Sequence, residues 1–259
     1  MFETRPRGWP VLLAYFFAAI AVVVAQVVAI GPRYLARREM PPAGRLLLAP
    51  LASAAVLAAL AVAAADLWRR RRATPGLHAG PSAASPWGCL AAAVGTLALS
   101  VCCATASDLL GLRSEAMDEI GNALQHAPGG AVAGVVAVAV APGLGEETFF
   151  RGFMQTRLVA SWGRWPGIVA TAAAFGLLHF DPVQGPQAFV LGLFLGWVVV
   201  RLDGIRPSMA AHVANNAAFV LLAGPTGSGS RRVEAMVVAL AAVVFAACTF
   251  VLRTRIALR

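Results

Sequence analysis

The chain reads as an all-α, polytopic transmembrane helical bundle of about eight spans with no soluble domain. Three observations lead there. Hydrophobic residues fill 59% of the 259 positions and charged residues only 13%, against about 25% charged in an ordinary soluble domain. The apolar residues gather into eight runs, most of them close to the ~20 residues a helix needs to cross a bilayer. All 21 basic residues are arginines, and most of them stand in short segments flanking those runs. A net charge of +9 also fits nucleic-acid binding, but the arginines form no basic groove and are not interleaved with aromatics. Membrane topology accounts for them, and no nucleic-acid partner is expected.

Taken in order, the runs are Trp9–Ile30, Leu46–Leu67, Trp87–Leu110, Gly130–Met154, Trp165–Phe180, Pro186–Leu202, Pro207–Leu222 and Val233–Leu252. The first follows a short basic start, yet it exceeds the ~7–15 residues of a signal-peptide core and is read as a retained anchor. The fifth, sixth and seventh are short and interrupted by polar residues, which is tolerated only where those groups face protein or a wet cavity. The organisation is one membrane domain in three parts: helices one to three over 1–129, a core over 130–223, and a last helix within 224–259. Between spans three and four, Met117, Ile120 and Leu124 share a helical face while Asp118 and Glu119 lie elsewhere. That pattern fits an interfacial amphipathic helix, with an ordinary loop as the alternative. Gly192 and Gly196 form a small-xxx-small pair suited to helix packing. Cys89, Cys102, Cys103 and Cys248 sit inside apolar runs as small packing residues and require no oxidising compartment.

Orientation follows from the arginines. With eight spans, thirteen fall on the side of the termini and seven on the other, leaving out Arg151, which is intramembrane. The positive-inside rule then puts both termini in the cytoplasm, in the inner membrane of a bacterium whose coding bias favours Ala, Gly, Val and Arg and omits lysine.

The chemistry lies between Glu146 and Asn216. Glu146, Glu147 and Arg151 stand in an otherwise apolar helix, where each charge costs roughly 2.5–3.5 kcal/mol at mid-membrane. Such groups must face the bundle interior and find partners. Glu147 and Arg151 are i, i+4 with the acid N-terminal, the better orientation for an ion pair. Glu146 is rotated about 100° away and stays free to exchange protons. Phe175 and His179 share a face of span five, and His212 and Asn216 share a face of span seven. His78 and His126 fall in polar connections and are given no role.

The pattern Glu146-Glu147-x-x-x-Arg151, Phe175-x-x-x-His179, His212-x-x-x-Asn216 resembles the three motifs of the CPBP family. That family comprises intramembrane endopeptidases, including type II CAAX prenyl proteases and bacteriocin-immunity (Abi) proteins. The resemblance covers roughly 130–223, and no motif position departs from the pattern. It implies a glutamate-dependent peptidase acting on a peptide or protein substrate held at the membrane. Glu146 with His179 would activate water, His212 and Asn216 would stabilise the oxyanion, and Glu147, Arg151 and Phe175 would support them. No cofactor is expected. The alternative is zinc on Glu146, His179 and His212, although no His-Glu-x-x-His pair is present and Asn216 is a poor zinc ligand.

Two other functions stay open on the sequence. A non-enzymatic immunity or scaffold protein would keep the polar cluster for structure or partner binding. A proton-coupled transporter would use it as a relay, but spans one to three hold no matching cluster as an internal repeat would require. The drawn spans also contain a tension. His212 lies ~8 Å into span seven while His179 lies ~21 Å along span five, so for both to meet Glu146, span five must tilt, break or begin deeper.

Overall fold

In hydrocarbon a backbone must satisfy its own N–H and C=O groups, so apolar runs of this kind fold as helices. The computed structural model describes residues 8–31, 36, 43–70, 85–126, 129–222 and 231–254, and these hold no strand. The helices are α1 (Trp9–Ile30), α2 (Ala43–Arg70), α3 (Pro86–Leu109), α4 (Glu115–Gln125), α5 (Gly130–Trp162), α6 (Arg164–Leu177), α7 (Gln184–Leu202), α8 (Arg206–Leu222) and α9 (Arg231–Thr254). All eight drawn runs are thus helical.

Six helices are long and apolar enough to cross a membrane: α1, α2 up to Asp66, α3, α5, α7 and α9 from Val233. The chain is a multi-pass membrane protein. At 1.5 Å per residue α6 reaches only ~21 Å, short of a ~30 Å hydrocarbon core. Its outer surface agrees with that setting, since Phe16, Phe17, Leu240, Val243 and Phe250 point outward and are exposed. Nine of the twenty arginines used for orientation, and His78, lie outside the described residues. The expected interfacial segment is a helix, α4, N-capped by the Ser114 hydroxyl, which accepts from the Met117 N–H. Leu124 is buried on its inner face, Met117 and Ile120 are half-buried, and Asp118 and Glu119 are exposed.

Helix α5 is the axis of the molecule. One apolar cluster joins it to α1, α2 and α6 through Val22, Leu57, Phe150, Phe153 and Phe175. A second holds α3, α7, α8 and α9 together around Phe194, Val198 and Leu252. The candidate site lies between the two clusters. Gly145 sits where α5 meets α2 so closely that a Cβ there would run into the Ala54 backbone.

Two features of α5 depart from the sequence reading. The span drawn to Met154 continues without a break to Trp162. Gln155 and Arg157 look like an exit from the membrane, but both are buried. Gln155 Nε2 donates to the Gly196 carbonyl at 2.9 Å. Arg157 donates to the Phe153 carbonyl at 2.9 Å and lies 4.3 Å over the Phe153 ring. Arg157 is therefore an intrahelical residue and not a loop charge, and the arginine split becomes twelve to seven.

The extension also bears on the height of His179 relative to Glu146. Helix α6 starts beyond Trp162 and runs back antiparallel to α5, with Gly167 against Val159 and Phe175 against Phe150. His179 is ~22 Å up from Arg164 and Glu146 ~24 Å back from Trp162. Counted from the turn they share, the two stand at similar heights along their helices, with α6 starting at Arg164 against the Trp165 drawn for span five.

Candidate active site

The local fold of α5 presents its charged residues. Val135–Val140 and Thr148–Gln155 are π-helical turns on either side of Ala141–Glu147, and such turns concentrate at functional sites. Pro142 has no N–H to give the Val138 carbonyl in an α register. The Asn216 side chain takes that place, its Nδ2 donating to Val138 O at 3.1 Å. At the other end, the Thr156 hydroxyl donates to the Arg151 and Gly152 carbonyls. The Val138, Arg151 and Gly152 carbonyls at the widened turns thus find side-chain donors.

Glu147 and Arg151 are fully buried and paired, Arg151 Nη1 donating to Glu147 Oε1 at 2.7 Å. The guanidinium also reaches the Gly192 carbonyl at 3.5 Å and stacks 4.5 Å from the centroid of Phe175. Across the interface, His212 on α8 bonds Glu147 Oε1 through Nδ1 at 3.0 Å. A carboxylate only accepts, so Nδ1 carries the proton. Its Nε2 lies 3.9 Å from Glu146 Oε2, beyond a direct hydrogen bond. Glu146 keeps 16% of its side chain exposed where Glu147 keeps none.

His179 follows the last turn of α6. Its Nδ1 bonds the Phe175 carbonyl at 2.9 Å, which fixes Nδ1 as the donor and Nε2 as the lone-pair nitrogen. Phe175 is the spacer of the site, with its ring 5.0 Å from the His179 ring and 5.8 Å from the His212 ring, both edge-on. Thus Glu147, Arg151, Phe175 and His212 are linked contact by contact, with Glu146 3.9 Å from His212. His179 joins them through Phe175, and Asn216 lies one turn along α8, tied to α5. Asn215 donates to Asn216 Oδ1 at 3.3 Å. Among the described residues, no three His, Cys, Asp or Glu side chains form a group able to hold a metal.

Sequence reasoning passed over Asn215, Tyr15 and Pro142. The Tyr15 hydroxyl donates to the Ala174 carbonyl at 2.9 Å and ties α1 to the turn that carries Phe175. A buried tyrosine usually seeks such a partner, and Pro inside an apolar run is a visible sign of a freed carbonyl. Beside this turn an apolar groove of about 1090 Å3 runs between α1 and the α6–α7 connection, walled by Tyr15, Ile20, Val24, Leu177, Phe180 and Phe189.

Residues 128–218, which hold every one of these motif positions, match the family described as type II CAAX prenyl endopeptidase Rce1-like. The match supports a likeness of this segment to the CAAX-protease family. The family is one of proteases. No curated protein and no solved structure matches the chain.

Proposed function

We propose that the chain is an intramembrane, glutamate-dependent endopeptidase of a bacterial inner membrane, with both termini cytoplasmic. It hydrolyses a peptide bond in a membrane-anchored or lipidated substrate, using water activated by Glu146 and His179. The observation that carries this reading is His212, held by buried Glu147 with its second nitrogen turned toward Glu146, inside the segment that matches a protease family.

The roles follow from which groups are already engaged. Glu147 is occupied by Arg151 and His212, so it orients and does not exchange protons. Glu146 is the less buried carboxylate and takes the proton from water. The resulting hydroxide attacks the scissile carbonyl. The oxyanion accepts from His212 Nε2–H and from the second N–H of Asn216, whose first is spent on Val138. Glu146 then returns the proton to the leaving amine as the C–N bond breaks. With His212 protonated on both nitrogens, Glu146, Glu147, Arg151 and His212 sum to zero charge, the state that a low-dielectric interior accepts at least cost. The apolar groove beside His179 supports a substrate presented from the bilayer.

Metal-free catalysis is the reading we favour, because the donors that zinc would need do not group and Asn216 is a poor zinc ligand. The test is hydrolysis of lipidated peptides by the full-length protein in nanodiscs. His212→Ala should remove most of the rate, and prolonged exposure to a strong zinc chelator should leave it unchanged. Loss on chelation with recovery on added zinc would replace this mechanism by a zinc one. Retention of full activity in folded His212→Ala would remove His212 from it.

A further inference from the structure

His179 stands on a connection with little regular structure of its own. α6 ends at Leu177, Phe180 adopts a left-handed φ of 50°, and α7 begins at Gln184. Leu177 and Phe180 are 68% and 67% exposed, and of the residues beside His179 in this stretch Leu178 is the buried one, packed in the cluster with Phe175. The hydrogen bonds that order this connection converge on one side chain. Asp181 Oδ1 accepts from the N–H groups of Val183 at 2.8 Å and Gln184 at 2.6 Å, capping the start of α7. Its Oδ2 accepts from the Ser114 hydroxyl at 2.7 Å. Ser114 is itself buried, and its oxygen accepts the Met117 N–H that opens α4. A parallel bond runs from Gln187 Nε2 to the Ser107 hydroxyl at 2.8 Å.

We propose that Asp181 is a positioning residue for His179, and that Ser114 bolts the His179 connection to the start of α4. The registration of His179 against Glu146 is then set by two elements distant in sequence, together with the α6 turn whose Phe175 carbonyl holds its Nδ1. Partial burial opposes charge on Asp181, yet the Gln184 N–H, the Ser114 hydroxyl and the Val183 N–H outweigh it and hold the carboxyl below the ordinary carboxylate range. It is therefore ionised, and an acceptor on both oxygens, throughout neutral pH.

The test uses full-length protein in nanodiscs with histidine-labelled imidazoles, His179 being assigned by its disappearance in His179→Gln. In Asp181→Ala the His179 ring signals should shift or broaden while those of His212 stay. Asp181→Asn keeps the oxygen that accepts from Val183 and Gln184 but not the acceptor for Ser114, so it should recover most of the wild-type spectrum. Ser114→Ala removes one bond of three and should give an intermediate result. The kinetic arm rests on the proposed peptidase reading: kcat should fall about 10- to 100-fold in Asp181→Ala with KM little changed, and recover for the most part in Asp181→Asn. Unchanged His179 signals in folded Asp181→Ala and Ser114→Ala would overturn the proposal, as would an Asn variant as defective as Ala. The spectroscopic result stands even if no peptide is cleaved, so the two readings fail separately.

Discussion

Replacing Arg151 with alanine removes the cation that makes Glu147 tolerable inside the bundle. Both side chains are wholly buried, and the bond between them is 2.7 Å. After the change, Glu147 keeps the His212 Nδ1–H as a hydrogen-bond donor but no cation at i+4. Breaking a buried pair from one side costs about 3–5 kcal/mol, mainly because one charge is left uncompensated. Loss of the guanidinium stacked on Phe175 adds about 0.5–2 kcal/mol. At about 2–4 °C per kcal/mol for a chain of this size, the melting temperature should fall by roughly 10 °C or more. Glu146→Gln removes no short contact and should shift it by much less. The assay is thermal unfolding in one detergent, followed by static light scattering and by thiol labelling of the partly buried cysteines. The double variant Glu147→Gln/Arg151→Met supplies the control, because it removes both charges and should recover part of the loss. Equal melting of wild type and Arg151→Ala would refute the ion-pair argument. A double variant worse than Arg151→Ala would show that packing, not charge, sets the cost.

Other expectations follow from the same geometry. Gly145→Ala forces a Cβ against the Ala54 backbone and should destabilise by at least the ~1–3 kcal/mol of an overpacked core, measured by the same melting assay. Asn216→Ala should lower kcat about 10²- to 10³-fold, the usual cost of one oxyanion donor. Part of that loss should be structural, since Val138 O also loses its donor, so the variant should melt earlier than Glu146→Gln. Asp181 has a lowered folded-state pKa, so its contribution is present above the ordinary carboxylate value of ~3.9. That contribution is lost as pH falls through the lower folded value. Hydrogen exchange at Val183 and Gln184 should therefore stay protected through mildly acidic pH and accelerate only below that range.

Much of this architecture was written in hydropathy. Trp9–Ile30 is helical over the run drawn for it, and the other seven runs agree to within a few residues at most ends. The failure at Met154 has a physical cause. A hydropathy window treats Gln155 and Arg157 as solvent-seeking, but Gln155 has the Gly196 carbonyl and Arg157 has an aromatic face and a carbonyl within the protein. Sequence alone cannot see the Gly196 carbonyl on another helix, and hydropathy does not weigh the Phe153 partner one turn back from Arg157. The Glu147–Arg151 pair was legible because it lies within one helix at i, i+4. The bond between His212 and Glu147 was not, because it depends on how α8 faces α5. Nor could spacing reveal that Pro142 frees the carbonyl that Asn216 occupies, although the proline itself was in plain view.

The claim at the centre is that Glu146 delivers water to a peptide bond. It is met most directly by incubating lipidated peptides with the full-length protein in water enriched in oxygen-18 and identifying the products by mass spectrometry. Wild type should yield two fragments, with one heavy oxygen in the new C-terminal carboxylate. Glu146→Gln, folded and with a near-normal melting temperature, should yield none. Cleavage by Glu146→Gln at the wild-type rate, or fragments that carry no label, would contradict the account.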